Sequence, residues 1–187
     1  MQRQAKPNWR LKKTLARPVD FRLLEREDVR YLWVAYKKGL LADLGGPFSD
    51  PPNMTPDEFK VEFEVLITTM YHGAWAMLAK TGNEYKPVGA VFGFWSHPEP
   101  KYATFMNVAN MVWFPWATAR NRIESALNFF NTIRMQFPMV EYAREKDKRF
   151  FEVLARHGVM RRIGTSYNVY CGAPAAVFET RSPETRS

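Results

Sequence analysis

The 187-residue chain contains a single cysteine, Cys171, and only three histidines. One cysteine excludes a disulfide framework and a cysteine-rich zinc site within the chain. His72, His97 and His157 are too far apart in sequence to indicate a metal cluster. A Walker A motif, a G-x-S-x-G turn and a G-x-G-x-x-G turn are also missing, so the common phosphate-loop, hydrolase and dinucleotide signatures are not present. We therefore expect no metal cofactor.

Long apolar runs are scarce as well. No apolar stretch follows the basic N-terminus, so no signal peptide is predicted. Residues 102–119 carry no charged side chain, but this stretch of 18 residues contains Asn107, Asn110 and Pro115. Two unpartnered amides would be costly in a bilayer core, so we interpret the stretch as a buried strand that runs into a loop. The sequence predicts a soluble, cytoplasmic protein with no membrane partner.

The net charge of +8 is concentrated at one end of the chain. Residues 1–17 carry six basic residues and no acid, which accounts for +6 of the total. Such an arm can neutralise phosphates on nucleic acid or on anionic lipid, or it can simply be a solubilising terminus. We divide the chain into a basic arm at 1–17, a domain at 18–181 and a polar tail at 182–187.

The domain reads as an ordered series of strands and helices. Thr55-Pro56-Asp57-Glu58 is a capping box with proline at the first helical position, which is a strong helix start. Hydrophobic periodicity and turn signals predict the order β-α-α-β-β-β-α-β-α-β-β. The predicted strands are 18–23, 74–80, 87–96, 103–114, 139–143, 163–170 and 175–180, and the predicted helices are 25–44, 55–72, 120–136 and 145–157. This order predicts an α+β fold with a mixed sheet of about seven strands and helices on both faces. A helix connects the fourth strand to the fifth, so we expect these two strands to be parallel and to separate at the end nearest residues 113–116.

Three stretches of this series resemble the GCN5-related N-acetyltransferase (GNAT) superfamily. Residues 74–95 resemble its β2–β3 hairpin, with a Val-Gly step after a short polar turn. Residues 112–127 resemble its fourth strand, a proline-containing exit and the acyl-CoA pyrophosphate loop. Residues 150–164 resemble its last helix and the turn that follows, with Leu154 and Gly158 at the motif positions. The resemblance implies a GNAT-like fold, acetyl-CoA as co-substrate and an amine acceptor.

The resemblance also implies a set of donor-binding residues. The superfamily's pyrophosphate motif, (Gln/Arg)-x-x-Gly-x-(Gly/Ala), aligns with residues 120–125, where Ile123 replaces the first glycine and Glu124 opposes an anion. Small residues there let backbone amides approach phosphate groups, so side chains would have to substitute. A tyrosine that protonates the leaving thiolate in many members is replaced by Leu154. The residues that the resemblance assigns to acetyl-CoA are Val112, Trp113, Phe114, Arg120, Asn121, Arg122 and Ile123.

Three side chains are candidates for acid–base chemistry. His97 and Glu99 follow the third predicted strand, where either can take a proton from an amine through water or simply form an exposed turn. Tyr142 on the fifth strand either faces the V-shaped opening that this fold offers to acyl-CoA or packs on the sheet. The aromatic run 113–116 either holds a pantetheine arm at the mouth of that opening or fills it.

Two functions follow from these alternatives. The first is an N-acyltransferase that moves an acetyl group from acetyl-CoA to a primary amine, including amines on modified bacteriophage DNA bases. The second is a non-catalytic GNAT-fold bacteriophage structural or internal virion protein, which uses its basic arm and aromatic cleft for protein or DNA contacts. The expected partners are the amine substrate, nucleic acid bound through residues 1–17, a second copy of the chain, or virion proteins.

Overall fold

The computed structural model describes residues 21–49, 53–81, 84–168 and 172–180. The basic arm, Cys171 and the polar tail lie outside the described residues. The order of strands and helices is the predicted one: β1 Phe21–Leu23, α1 Val29–Lys37, α2 Pro56–Val65, β2 Gly73–Thr81, β3 Glu84–Trp95, β4 Met106–Trp113, α3 Ala119–Ile133, β5 Met139–Ala143, α4 Glu145–Arg156, β6 Met160–Asn168 and β7 Ala173–Thr180. The predicted α+β class is confirmed.

The strands form one seven-stranded mixed sheet in the order β1-β2-β3-β4-β5-β7-β6. β4 and β5 run parallel, because α3 carries the chain from the end of one strand back to the start of the other. The other neighbouring strands are antiparallel. The parallel pair therefore lies in the middle of the sheet.

Each face of the sheet is covered by two helices. α3 and α4 bury Phe129, Phe130 and Phe151 against one face. α1 and α2 bury Tyr36 and Phe59 against the other. Fully burying an aromatic or large aliphatic side chain contributes about 1.5–3 kcal/mol, so both layers stabilise the sheet. No helix among the described residues is long and apolar enough to cross a membrane.

The helix starts follow the sequence signals better than the helix ends do. The capping box at α2 is confirmed, since the Thr55 amide donates to Glu58 Oε2 at 2.7 Å and Thr55 Oγ1 accepts from the Glu58 amide at 3.3 Å. The prediction that the first helix continues to residue 44 is wrong. Gly39 adopts a φ of 69° and ends α1, a conformation that glycine enters without a Cβ penalty. Short 3₁₀ turns at Ala42–Leu44 and Gly46–Phe48 follow.

Candidate functional site

β4 and β5 separate in the middle of the sheet. They pair only over Met106–Val108 and Met139–Glu141. Beyond this point β4 pairs with β3 alone as far as Trp113, and β5 pairs with β7 alone. We call the resulting gap the β4–β5 opening, with residues 109–113 on one wall and 142–143 on the other. The prediction that these strands are parallel and diverge towards residues 113–116 is confirmed.

A β-bulge in β4 marks the place where the strands separate. Val108 lies opposite Gly93 on β3, while Asn110 lies opposite the next residue, Phe92. Ala109 is therefore the extra residue on β4. A bulge interrupts the alternation of a strand and re-aims the residues beyond it.

The bulge reverses which edge of β4 the backbone amides face. The Met106 amide donates to a carbonyl at the start of β5, at 2.9 Å, whereas the Phe114 amide donates to a β3 carbonyl, also at 2.9 Å. A regular strand would point both amides to the same edge, because they are an even number of residues apart. Beyond the bulge, the backbone amides of Met111 and Trp113 therefore point into the β4–β5 opening, where no described strand pairs with them.

The side chains of β4 divide between the two faces of the sheet. Met111 and Trp113 pack on the α3/α4 side. Val112 and Phe114, which we expected to contact the acyl donor, have buried side chains in the α1/α2 core. The side chains of these two residues face away from the opening, and their assignment to the acyl donor stays a prediction. The Trp113 ring meets the Phe150 ring of α4 edge-on at 5.6 Å, a contact that spans the gap between β4 and α4.

The aromatic run 113–116 does not form one cluster. Trp113 reaches α4 and Phe114 enters the core, while Trp116 turns towards β3 and donates from Nε1 to the Pro87 carbonyl at 2.8 Å. The Val-Gly step on β3 has a packing reason. A Cβ at Gly89 would lie 2.6 Å from the Val112 carbonyl oxygen and 2.7 Å from the Trp113 ring, so glycine leaves room for both the neighbouring strand and the indole.

The segment expected to bind pyrophosphate is helical. α3 begins at Ala119, so residues 120–125 form its first turns, in agreement with the helix predicted over 120–136. Thr118 caps the helix: its Oγ1 accepts from the Asn121 amide at 3.1 Å, and Asn121 Oδ1 accepts from the Thr118 amide at 3.3 Å. The Arg122 amide donates to the Thr118 carbonyl. Of the first helical amides, those of Ala119 and Arg120 have no such acceptor within the helix.

The two arginines of this segment are already engaged. Arg120 is exposed, and its Nε lies 2.7 Å from Glu124, which raises the pKa of the guanidinium further. Arg122 folds back and donates from Nε to the Ala117 carbonyl at 3.2 Å. Ile123 is half-buried. An anion here would compete with Glu124 for Arg120, and the assignment of residues 120–123 to acetyl-CoA stays a prediction.

His97 and Glu99 lie in an exposed turn between β3 and β4. They follow Trp95, which pairs with Met106 at the first residue of β4. His97 Nδ1 accepts from the Glu99 amide at 3.0 Å, and Glu99 pairs with Lys101 at 3.1 Å, so both belong to a local turn. Val108, at the apex of the opening, is two residues further along β4 than Met106, about 7 Å at the usual rise per residue, and Trp113 at its mouth is seven residues further, about 23 Å. The assignment of this pair to acid–base chemistry stays a prediction.

Tyr142 lies on the β5 wall of the opening. It follows directly after the last β4–β5 pair and faces Val177 on β7. Met139 and Ala143 pack in the α3/α4 core, and strand residues alternate between faces. Tyr142 therefore belongs to the α1/α2 face. It is the one proposed acid–base residue that the structure places at the opening.

Glu141 is a site residue that the sequence analysis missed. It lies at the apex of the opening, opposite Val108 on β4 and Phe178 on β7. The residue keeps a small exposed fraction, but its carboxyl is desolvated. This burial is the main cause that raises the pKa of the carboxyl to about 8, and the negative charge of Asp147 raises it further, while the positive charge of Arg144 partly offsets the shift. The sequence signal that could have identified Glu141 is a single charged residue within the otherwise uncharged strand β5. Such perturbed carboxyls are common at functional sites.

An ion-pair cluster connects the α1 side of the sheet to the start of α4. Arg144 lies 2.6 Å from Asp43 and 2.9 Å from Asp147, and Lys146 lies 2.9 Å from Asp43. The Arg144 and Lys146 charges lower the pKa of Asp43 to about 2, and the same pairing raises the pKa of Arg144. The cluster holds the Ala42–Leu44 turn beside the carboxyl end of β5.

Two polar side chains lie on the α1/α2 face of the sheet. Asn110 is only 8% exposed and makes no side-chain hydrogen bond to the described residues, yet its polar atoms are not sealed from solvent. Its cross-strand neighbour Phe92 contacts the Tyr71 ring at 5.2 Å. Burial raises the pKa of Tyr71 to about 12, so its hydroxyl stays protonated at neutral pH.

Solved acetyltransferases share this fold. The chain is similar to a GNAT superfamily phosphinothricin acetyltransferase from Sinorhizobium meliloti in complex with AcCoA, with a TM-score of 0.54 and 13% identity over 88% of this chain and 93% of that one. It is similar to spermidine N-acetyltransferase from Vibrio cholerae in complex with CoA and spermine, with a TM-score of 0.57 and 12% identity over 87% and 94% of the two chains. It is also similar to histone acetyltransferase HPA2 and related acetyltransferase from Corynebacterium glutamicum, with a TM-score of 0.56 and 13% identity over 89% and 98%. No family model and no curated protein matches the sequence. The chain has the GNAT fold.

Proposed function

We propose that the protein is an N-acyltransferase that transfers an acyl group from acyl-CoA to a primary amine. The observation that carries this proposal is the β4–β5 opening, in which the bulge at Ala109 turns the backbone amides of Met111 and Trp113 towards an unpaired edge. The fold neighbours support it, since one of them binds AcCoA and another binds CoA with spermine.

The unpaired edge of β4 provides a place for the pantetheine arm. Its amide groups can add to Met111 and Trp113 as an extra extended strand, the mode by which extended ligands add to an open sheet edge. The thioester then lies near the apex of the opening. A backbone amide of β4 that points into the opening stabilises the negative charge on the thioester oxygen as the amine attacks. Much of the catalysis is then positioning.

Glu141 is the proposed general base. The neutral amine nitrogen attacks the thioester carbonyl, the carbon–sulfur bond breaks, and the proton lost by the nitrogen passes to the Glu141 carboxylate. A carboxyl with a pKa of about 8 is well matched to this transfer near neutral pH. Leu154, in the α4 position of the family tyrosine, is fully buried in the core. The CoA thiolate therefore takes its proton from solvent.

The test is acyl transfer followed by release of free CoA, with acetyl-CoA and a panel of amines that includes polyamines and amine-modified DNA. We expect kcat/KM to rise with pH as Glu141 ionises, and Glu141→Gln to lose about 10²–10⁴-fold. Glu145→Gln, an exposed carboxylate at the start of α4, is the matched control. Unchanged turnover in Glu141→Gln would remove Glu141 from the mechanism. Absence of acyl-CoA binding to the wild-type chain would contradict the function itself.

The contact between Trp113 and Phe150 favours a second candidate, a non-catalytic protein of the same fold. If these rings close the opening, acyl-CoA does not bind the wild-type chain, and Trp113→Ala restores access. If they hold the pantetheine arm, Trp113→Ala weakens acyl-CoA binding instead. Calorimetric titration of the two proteins with acetyl-CoA separates the candidates. Under the second candidate, residues 1–17 would bind nucleic acid in a salt-dependent manner.

A further inference from the structure

The sheet ends on two edge strands of very different length. β1 covers only Phe21–Leu23, whereas β6 at the opposite edge covers the nine residues Met160–Asn168. β6 pairs with β7 along one side, and no described strand pairs with its other side. Every residue from 161 to 167 is exposed. A long exposed edge presents unpaired backbone amides and carbonyls, which makes it a template for another strand.

The sequence of β6 lacks the side chains that usually protect an edge strand. Monomeric proteins often block such edges with lysine or proline, and β6 contains neither. Two of its exposed side chains are large and apolar or aromatic, since Ile163 is 49% exposed and Tyr167 is 62% exposed. β6 therefore combines an unpaired backbone with exposed apolar surface, which is the chemistry of an interface with another strand.

The packing of the described residues gives no reason for glycine at position 164, in the middle of β6. The φ of Gly164 lies outside the left-handed region, and a Cβ there would meet no atom within 4 Å. The adjacent β-bulge does not require it either, because the extra residue of that bulge is Ile163. Glycine in a strand interior costs about 0.5–1 kcal/mol relative to alanine. It often marks a place where another backbone comes close, and the outer edge of β6 is open to such an approach.

We propose that β6 pairs antiparallel with β6 of a second copy of this chain, with Gly164 on the two-fold axis. The charges of β6 favour this direction. Arg161 and Arg162 precede Gly164, whereas the uncharged Thr165 and Ser166 follow it. Antiparallel pairing, with the bulge counted as one position, places the two arginines of one copy opposite Thr165 and Ser166 of the other. Parallel pairing would place identical arginines side by side, where like charges are destabilising.

The pairing makes the two sheets one continuous sheet. The same strand serves both copies, as a two-fold interface requires. The interface lies at the edge of the sheet, with β7 between β6 and the β5 wall of the opening. It does not depend on the proposed acyl transfer.

The first experiment is analytical ultracentrifugation of the full chain over a range of concentrations, in which we expect a dimer. Gly164→Leu adds a side chain where one copy alone has open space, so we expect an unchanged melting temperature. The same side chain obstructs the second backbone, so dimerisation should weaken by about 10–100-fold. Lys101→Leu, exposed in the turn between β3 and β4, is the control and should dimerise like the wild type.

Oxidative cross-linking tests the position of the axis. In a chain with Cys171→Ser, the introduced thiol of Gly164→Cys faces its own copy across the axis. Directly opposite residues of antiparallel strands are about 4.5–5.5 Å apart at Cα, within the range that a disulfide spans, so we expect a cross-linked dimer. Tyr167→Cys, three residues from the axis, should remain largely free of cross-links.

Three results would overturn the proposal. A monomer at every concentration would leave the edge to a strand from another protein or from outside the described residues. A dimer of Gly164→Leu as tight as that of the wild type would place the interface elsewhere. Equal cross-linking of Gly164→Cys and Tyr167→Cys would contradict an axis at Gly164.

Discussion

The desolvated carboxyl of Glu141 makes the stability of this protein depend on pH in an unusual direction. The pKa of the Glu141 carboxyl is about 8 in the folded protein, compared with 4.5 in the unfolded chain. The folded-state value is the higher one, so between these pH values the folded state holds one proton more than the unfolded state. The contribution of this carboxyl to the free energy of unfolding is therefore fully present below about pH 4.5 and is lost as the pH rises through about 8.

The magnitude follows from the interval between the two pKa values. A difference of one bound proton changes the free energy of unfolding by about 1.4 kcal/mol per pH unit. Over the whole interval the loss approaches about 5 kcal/mol, a large part of the stability of an ordinary domain. Glu141→Gln keeps the shape of the neutral carboxyl and cannot ionise. We expect it to match the wild type near pH 4.5 and to be more stable by about 5 kcal/mol at pH 8.

Urea denaturation at half-unit intervals from pH 4.5 to 8.5 measures this difference directly. The difference between wild type and Glu141→Gln isolates one carboxyl, because every other titrating group is common to both. Glu145→Gln, exposed at the start of α4, should follow the wild-type curve throughout. Parallel curves for wild type and Glu141→Gln would refute the inference that the β5 carboxyl is desolvated at the apex of the opening.

Three other substitutions test the packing and the ion pairs. Gly89→Ala would place a Cβ 2.7 Å from the Trp113 ring, so we expect a loss of about 1–3 kcal/mol and a shifted Trp113 indole resonance; an unshifted resonance would contradict this packing. Asp43→Asn removes a carboxylate whose pKa is lowered to about 2 by Arg144, and after solvent screening we expect about 1 kcal/mol lost at pH 7. That deficit should vanish as the pH falls from about 4 to 2, and a deficit that persists there would point to lost packing instead. Asp28→Ala removes a buried carboxylate that accepts two hydrogen bonds from Arg22 and one from the Glu25 amide, and it should cost about 2–4 kcal/mol in chemical denaturation. A loss below about 1 kcal/mol would contradict a stabilising role of these hydrogen bonds.

Local sequence signals account for the order of the elements. The capping box at Thr55 starts α2 where expected, and β5 covers the predicted residues 139–143. These features depend on neighbours within a few residues, such as a side chain that accepts from a nearby amide. The crossover from β4 through α3 likewise predicted a parallel pair, because a chain that returns along one face of a sheet must run in the same direction again.

The division of the aromatic run 113–116 could not be obtained from the sequence. Strict alternation would place every second residue of β4 on the same face of the sheet along the whole strand. The bulge at Ala109 moves the residues beyond it to the opposite face. Its position depends on the register with β3, which is set by packing between residues distant along the chain. The same limit applies to the helix that ends at Gly39, where the later Gly45-Gly46 pair gave an equally strong stop signal.

The sequence by itself determined the α+β class, the strand and helix order and the parallel central pair, because these follow from periodicity, caps and connection length. Only the tertiary structure decided which residues meet at the opening. It placed His97 and Glu99 in an exposed turn before the first residue of β4, and it placed Glu141 at the apex of the opening, where burial gives its carboxyl the perturbed pKa. Desolvation and cross-strand register depend on what surrounds a residue in space, and a linear sequence does not specify those surroundings.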